Sequence, residues 1–140
     1  MTELAASTAP NRSVASRSIW AGRALSSLVI LFLTMDAAMK IAALPIVAET
    51  APAIGWTADS RFWQGIGLLL LAITALYAWP RTAVLGGVLL TGYLGGAVAT
   101  HLRVGDPLFS HTLFGVYLGI ALWGGLWLRD GRVRALLPVG

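Results

Sequence analysis

The residues of this chain that could do chemistry are few, and they fall in two short stretches. Asp36 and Lys40 are four residues apart, the spacing that puts two side chains on one face of a helix, with the acid N-terminal to the base in the favourable order. His101 and Arg103 form the second group, with Asp106 and His111 just beyond them. An imidazole exchanges protons near neutral pH, and a guanidinium holds an oxyanion or a carbonyl by directed hydrogen bonds. These types assign Asp36 and His101 as candidate proton exchangers, Lys40 as a countercharge and Arg103 as a holder of an oxygen-bearing ligand. A metal site is not expected, because zinc wants three or four ligands and only Asp36 and Asp106 are at hand to supplement the two histidines. A Ser–His–Asp nucleophile is not expected either, since Ser110 and His111 are adjacent and no glycine-flanked nucleophile elbow is present.

The elements that must position these residues are set by composition. Of the 140 residues, 57% are hydrophobic and only 11% charged, against roughly 25% charged in soluble domains, so the chain reads as a membrane protein. A helix crossing about 30 Å of hydrocarbon needs about 20 largely apolar residues, and four such stretches are present, over about 22–44, 62–79, 82–101 and 108–128. Open sheets cannot satisfy their backbone groups in lipid, and no strand-like alternation persists, so the predicted fold class is all-α, a four-helix transmembrane bundle. Pro80 and Arg81 leave only a short turn between the second and third spans, which must form an antiparallel hairpin. The predicted organisation is a flexible N-terminal tail over 1–18, a transmembrane domain over 19–130 and a basic tail over 131–140, with residues 45–61 as the longest loop.

The net charge of +4 sits in the two tails. Arg12, Arg17 and Arg23 face Glu3 in one, and Arg129, Arg132 and Arg134 face Asp130 in the other, while the middle of the chain is neutral. That is no stripe for nucleic acid. It is an orientation signal: with both termini in the cytoplasm the inside holds these arginines and Arg81, and the outside only Arg61, Arg103 and Lys40. The reading is N-in and C-in. A cleaved signal peptide over 1–43 is the rival reading, since three arginines precede a short apolar core, but the residue types around 36–43 fit a cleavage site poorly.

Glycines are the second pattern. Gly92 and Gly96 on the third span, and Gly115 and Gly119 on the fourth, form small-xxx-small ridges, which points to helix packing at all four positions. Gly92, Gly96 and Arg103 also fall within about 40° of one helix face, so a groove on that face would run toward the polar rim. With the spans directed as above, Asp36, Lys40, His101 and Arg103 converge under the outer membrane face. A self-neutralising pair with Lys40 snorkelling to the headgroups, and a pair lining a ligand pocket or proton path, are both compatible with the spacing. Tyr93, Tyr117 and Trp123 suit packing and pocket lining equally.

The stretch from Gly95 to Arg103, Gly-Gly-Ala-Val-Ala-Thr-His-Leu-Arg, and the ending from Leu126 to Pro138, Leu-Trp-Leu-Arg-Asp-Gly-Arg-Val-Arg-Ala-Leu-Leu-Pro, resemble the DoxX-like family of small four-helix membrane proteins. The resemblance runs from about Ile19 to Pro138 and includes the acid before a lysine at the end of the first helix, here Asp36 and Lys40. It implies a four-helix bundle in a bacterial cytoplasmic membrane, with relatives associated with quinone-linked oxidoreductase assemblies. With no cysteine and no Rossmann glycine fingerprint, any electrons would come from a bound cofactor such as a quinone, or from a membrane redox partner protein. The functional expectation is a membrane protein that binds a small hydrophobic ligand, a quinone or a lipid, near the outer face. The alternatives are a scaffold for partner proteins and a small transporter.

Overall fold

The computed structural model describes the backbone of residues 12–136 and the side chains of residues 16–136. Among these residues the elements are helices α1 (Arg12–Ile41), α2 (Pro45–Thr50), α3 (Ser60–Ala78), α4 (Ala83–Val104), α5 (Phe114–Arg129) and α6 (Gly131–Leu136). A 3₁₀ turn covers Ala51–Ile54, and a π-helical turn covers Leu108–Thr112. Four helical stretches, Ser16–Ile41, Ser60–Ala78, Ala83–Val104 and Leu108–Arg129, are long and apolar enough to cross a membrane. The expected fold class holds, and the protein is a multi-pass, all-helical membrane protein.

Boundaries move where local chemistry was underestimated. The first helix starts at Arg12, inside the expected tail, of which residues 1–11 lie outside the described residues. It ends because Pro45 disfavours a helical Leu44, whose ψ is 139°. Ala43 turns left-handed at φ 50°, and the N–H of Leu44 returns to the carbonyl of Met39 at 3.1 Å, which closes the last turn. The expected loop over 45–61 is mostly short helix and 3₁₀ turn. At the other end Asp130 leaves α5 extended and accepts the N–H of Arg132 at 2.9 Å, starting α6. The Arg132 side chain bonds the same carboxylate and holds the Asp130 carboxyl below the usual carboxylate range.

Helix α6 folds back with Val133 buried, and Arg134 donates to the carbonyls of Trp127 and Leu128 at 3.4 and 2.8 Å. Arg132 donates to Pro80 at 3.2 Å. The basic ending therefore satisfies carbonyls left over at the end of α5 and at the α3–α4 hairpin, in addition to carrying charge. Residues 137–140 lie outside the described residues.

In cross-section the long helices form a ring, with α1 against α3 and α5, and α4 against α3 and α5. The shared core is Val29, Leu33 and Ala37 of α1, Leu70 and Tyr77 of α3, Leu90 of α4, and Leu122 and Leu126 of α5. Removing α1 would uncover this core. The outward faces carry Leu31, Leu68, Leu85 and Ile120, all largely exposed, as a lipid-facing surface requires.

Lipid tails are as apolar as leucine, so helices associate through close backbone packing rather than through burial of apolar area. Tyr77 supplies one fixed point: its hydroxyl donates to the Leu122 carbonyl at 2.9 Å and shares a hydrogen bond with Ser26 Oγ at 3.1 Å, joining three helices. Glycines supply the others. A Cβ on Gly22 would lie 2.9 Å from the Gly125 carbonyl, one on Gly67 2.8 Å from the Ala37 carbonyl, and one on Gly86 2.2 Å from the Tyr77 nitrogen. Of the four glycines expected to pack, only Gly115 does, against the Leu94 carbonyl at 3.0 Å. Gly92, Gly96 and Gly119 are a correction: a Cβ on any of them would meet nothing within 4 Å. Spacing makes a helix face smooth, but only the neighbouring helix decides whether the smooth face is covered.

Candidate ligand site

Two ends of the bundle can be told apart: a hairpin end, with Pro80 and α6, and a loop end, with residues 42–59 and 105–113. The candidate site lies at the loop end. Asp36 and Lys40 form an ion pair one turn from the end of α1. Both are partly buried, Lys40 at 13% and Asp36 at 27% side-chain exposure, so Lys40 turns inward rather than snorkelling. Gly67 causes this: with no side chain there, α3 lies against the Ala37 carbonyl and the Lys40 Cβ and covers the lysine stem. The same helix caps α1, since Gln64 donates to the Ile41 carbonyl at 3.2 Å.

The second half of the site is made by the end of α4. Gly105 adopts φ 75°, a left-handed conformation that a side chain would strain, and the N–H of Asp106 then bonds back to the His101 carbonyl at 3.1 Å. That reversal brings the Asp106 carboxylate to 2.5 Å from Nδ1 of His101. A carboxylate acceptor there requires Nδ1 to carry the proton, so in the neutral ring Nε2 is left as the acceptor. His111 follows on the π-helical turn, its ring centroid 6.3 Å from that of His101, and its Nδ1 is 2.8 Å from Ser110 Oγ. Ten residues apart across a bend, the two histidines are free by sequence to approach, and the turn at Gly105 brings them together. A signal for the His101–Asp106 pair did exist: a histidine, an acid five residues on, and a glycine just before the acid.

Between these groups lies a cavity of about 470 Å³, within the about 300–1,000 Å³ range of small-molecule sites. Asp36, Lys40, His101 and His111 line it, together with Gly92 and Gly96. Aromatic side chains give it its apolar wall, among them Phe32 of α1, Phe62 and Trp63 of α3, and Tyr93 of α4. Buried Leu33 and Leu94 close it toward the core. Three of the four candidate ligand residues are thus brought to one space. Gly92 and Gly96 also belong to it, as wall rather than as packing ridge.

Arg103 is not in it. Its guanidinium donates to the carbonyls of Ile54 and Gly55 at 3.1 and 3.4 Å, across the loop end of the bundle. Gly55 has φ 73°, and a Cβ there would lie 2.7 Å from Arg103 Nη2, so glycine is needed both for the turn and for the arginine's approach. The expected oxyanion holder is therefore a strap. It fixes the segment over which Ile54 and Trp56 reach the cavity, and Trp56 stacks on Phe62 with ring centroids 5.4 Å apart. Trp63 donates to the Thr57 carbonyl at 2.7 Å and ties down the rest of this roof. Sequence reasoning missed the roof because a loop without charge pattern or repeat gives no sign of what it covers.

Chemically, the space offers an apolar body with a polar corner. Lys40 has three N–H donors, of which the ion pair uses one, and His101 offers one ring nitrogen beyond its bond to Asp106. The corner can donate to an oxygen and can take up or release a proton.

Comparison with known proteins gives one family: the model of the DoxX-like family matches residues 24–125. No curated protein and no solved structure matches the chain.

Proposed function

Because the chain belongs to the DoxX-like family, we propose that it binds a small hydrophobic ligand carrying an oxygen-bearing head, a quinone or a lipid, in the cavity at the loop end of the bundle. One observation carries this reading: Asp36, Lys40 and His101, from two helices that are diagonal in the ring, line one otherwise apolar cavity. Polar groups inside a membrane domain are costly, and they mark binding sites or proton paths when they line a shared space. Lys40 holds the head by hydrogen bonding, Asp36 keeps the lysine charge compensated, and Asp106 sets the His101 tautomer so that Nε2 meets the ligand. A bound quinone would supply two-electron redox chemistry, and the role of this chain would be to hold the head and exchange its protons within a larger membrane redox assembly.

The test is native mass spectrometry of the protein gently extracted from its own membrane. A non-covalent adduct is expected on the wild type and is expected to be depleted in His101→Ala, and in Asp36→Asn measured below its own lowered melting temperature. Equal retention in both variants, or a bare chain found only with partner proteins, would favour a scaffold.

The proposed setting is a bacterial cytoplasmic membrane, with the loop end outside and the termini in the cytoplasm, as the arginine distribution favours. Single cysteines in this cysteine-free chain report it directly. Ala53→Cys is expected to react with an impermeant thiol reagent in intact cells, and Ser13→Cys and Arg132→Cys to be shielded until the cells are opened. The reverse pattern would invert the orientation.

A further inference from the structure

The cavity needs an entrance, and the four seams of the helix ring differ in how they are closed. At the loop end α1 and α3 meet at Gly67, where a Cβ would lie 2.8 Å from the Ala37 carbonyl. The α4–α5 seam is shut at Gly115, where a Cβ would lie 2.9 Å from Val98 and 3.0 Å from the Leu94 carbonyl. The α1–α5 seam is filled by Phe32 and Phe114, edge to face with centroids 5.3 Å apart. The α3–α4 seam has its close approach at the other end, where Gly86 lies on the backbone of Tyr77.

Farther along α4 toward the loop end come Gly92 and Gly96, which share the cavity lining with Phe62 and Ile66 of α3. Both glycines are exposed, and a Cβ on either would meet nothing within 4 Å. The other exposed lining residues, Trp56, His111 and Phe114, fill their positions with rings, whereas the two glycines carry no side chain and leave the wall open. On the aqueous side the same cavity is roofed by Ile54 and Trp56, which Arg103 and Phe62 hold in place.

Depth decides what the opening faces. At about 1.5 Å per residue, Gly96 and Gly92 lie about 12 and about 18 Å from Val104 at the end of α4, well inside a hydrocarbon layer of about 30 Å. The opening faces acyl chains, not water.

We propose that α3 and α4 frame a lateral portal at Gly92 and Gly96, through which a bilayer-dissolved amphipath with a small oxygen-bearing head and one long alkyl or isoprenoid chain enters and leaves the cavity. The head travels to Lys40 and His101, and the chain trails out between the helices into the lipid. Glycine at both positions leaves a slot the width of a chain, whereas a branched side chain would occupy the path. This inference rests on the ligand reading of the preceding subsection and adds the route and the single-chain form of the ligand.

The experiment uses the full chain in nanodiscs of phosphatidylcholine and phosphatidylglycerol. Two probes of matched chain length, decyl-benzoquinone and decanoic acid, compare a carbonyl with a carboxylate head, and the tighter of the two names the head chemistry. For that probe Gly96→Leu is expected to lower affinity by about tenfold or more, since it places a large side chain in the path, while Gly95→Leu, exposed on the same helix but not lining the cavity, stays within about twofold. A spin label on Gly96→Cys, measured without probe, is expected to collide freely with oxygen and poorly with a water-soluble nickel complex. Should Gly96→Leu not fold, this label still decides the question, because ready access by the nickel complex would overturn a lipid-facing portal. Wild-type affinity in Gly96→Leu, with binding still lost in Asp36→Asn, would overturn the portal and leave the site standing. Failure of both probes to bind the wild type would overturn the ligand reading and the portal with it.

Discussion

Gly86→Ala is expected to destabilise the bundle severely, although it adds a single methyl group. The Cβ would lie 2.2 Å from the nitrogen and 2.5 Å from the Cα of Tyr77, and 2.7 Å from the carbonyl carbon of Leu76. All three are backbone atoms and cannot rotate away. Relief requires α4 to move off α3, and the movement would disturb Tyr77, whose side chain is fully buried and ties α3 to α1 and α5. Overpacking typically costs about 1–3 kcal/mol, and a clash with backbone belongs at or above the upper end. The matched control is Gly95→Ala, which meets nothing within 4 Å and gains roughly 1 kcal/mol of helix propensity. Thermal unfolding in detergent should show a large drop for the first variant and no drop for the second. Equal melting of Gly86→Ala and wild type would mean that the hairpin is not packed this closely.

The second large effect concerns the charges of α1, and it separates folding from ligand binding. Asp36→Asn leaves Lys40, which is only 13% exposed, as an uncompensated cation inside a membrane helix. Breaking a buried pair by removing one partner costs about 3–5 kcal/mol, and because this pair is only partly buried the loss should fall somewhat short of that. The double variant Asp36→Asn with Lys40→Met removes both charges, and most of the stability should return. Ligand retention should not return, because the donor that faces the cavity is gone. Thermal unfolding and adduct mass spectrometry on the same three proteins check both halves. A double variant that regains the ligand along with the stability would show that the pair serves the fold alone.

Both effects depend on contacts between helices, and that is also where legibility in the sequence stops. The four spans, the helical class and the α3–α4 hairpin follow from run length, low charge and Pro80, because the bilayer leaves a chain of this composition few ways to satisfy its backbone. The positions of Asp36, Lys40, His101 and Arg103 near one end follow from counting residues along spans that alternate in direction, but that count leaves open whether the pair on α1 lines a pocket or only neutralises itself, and it does not reveal that Arg103 stays out of the cavity. The Asp106 partner was within reach too, since Gly105 marks the left-handed turn that carries the acid back to the histidine.

What the tertiary structure alone decided is which neighbour each face meets. Gly92 and Gly96 have the same spacing as Gly115 and Gly119, yet Gly115 is covered by Leu94 and Val98 while Gly92 and Gly96 open onto the cavity and Gly119 meets nothing. Of the glycines that do hold helices together, Gly67 has no small residue four positions away, because a close approach needs only one missing side chain opposite the right backbone atom, whereas Gly22 lies in the row Ser18–Gly22–Ser26 and Gly125 pairs with Ala121, rows that sequence reasoning missed. Arg103 shows the same limit. Its position at the end of α4 is a sequence property, but its use as a strap depends on two carbonyls of a loop 48 and 49 residues earlier in the chain. Local spacing determines what a helix presents; the packing of the other helices determines what is there to receive it.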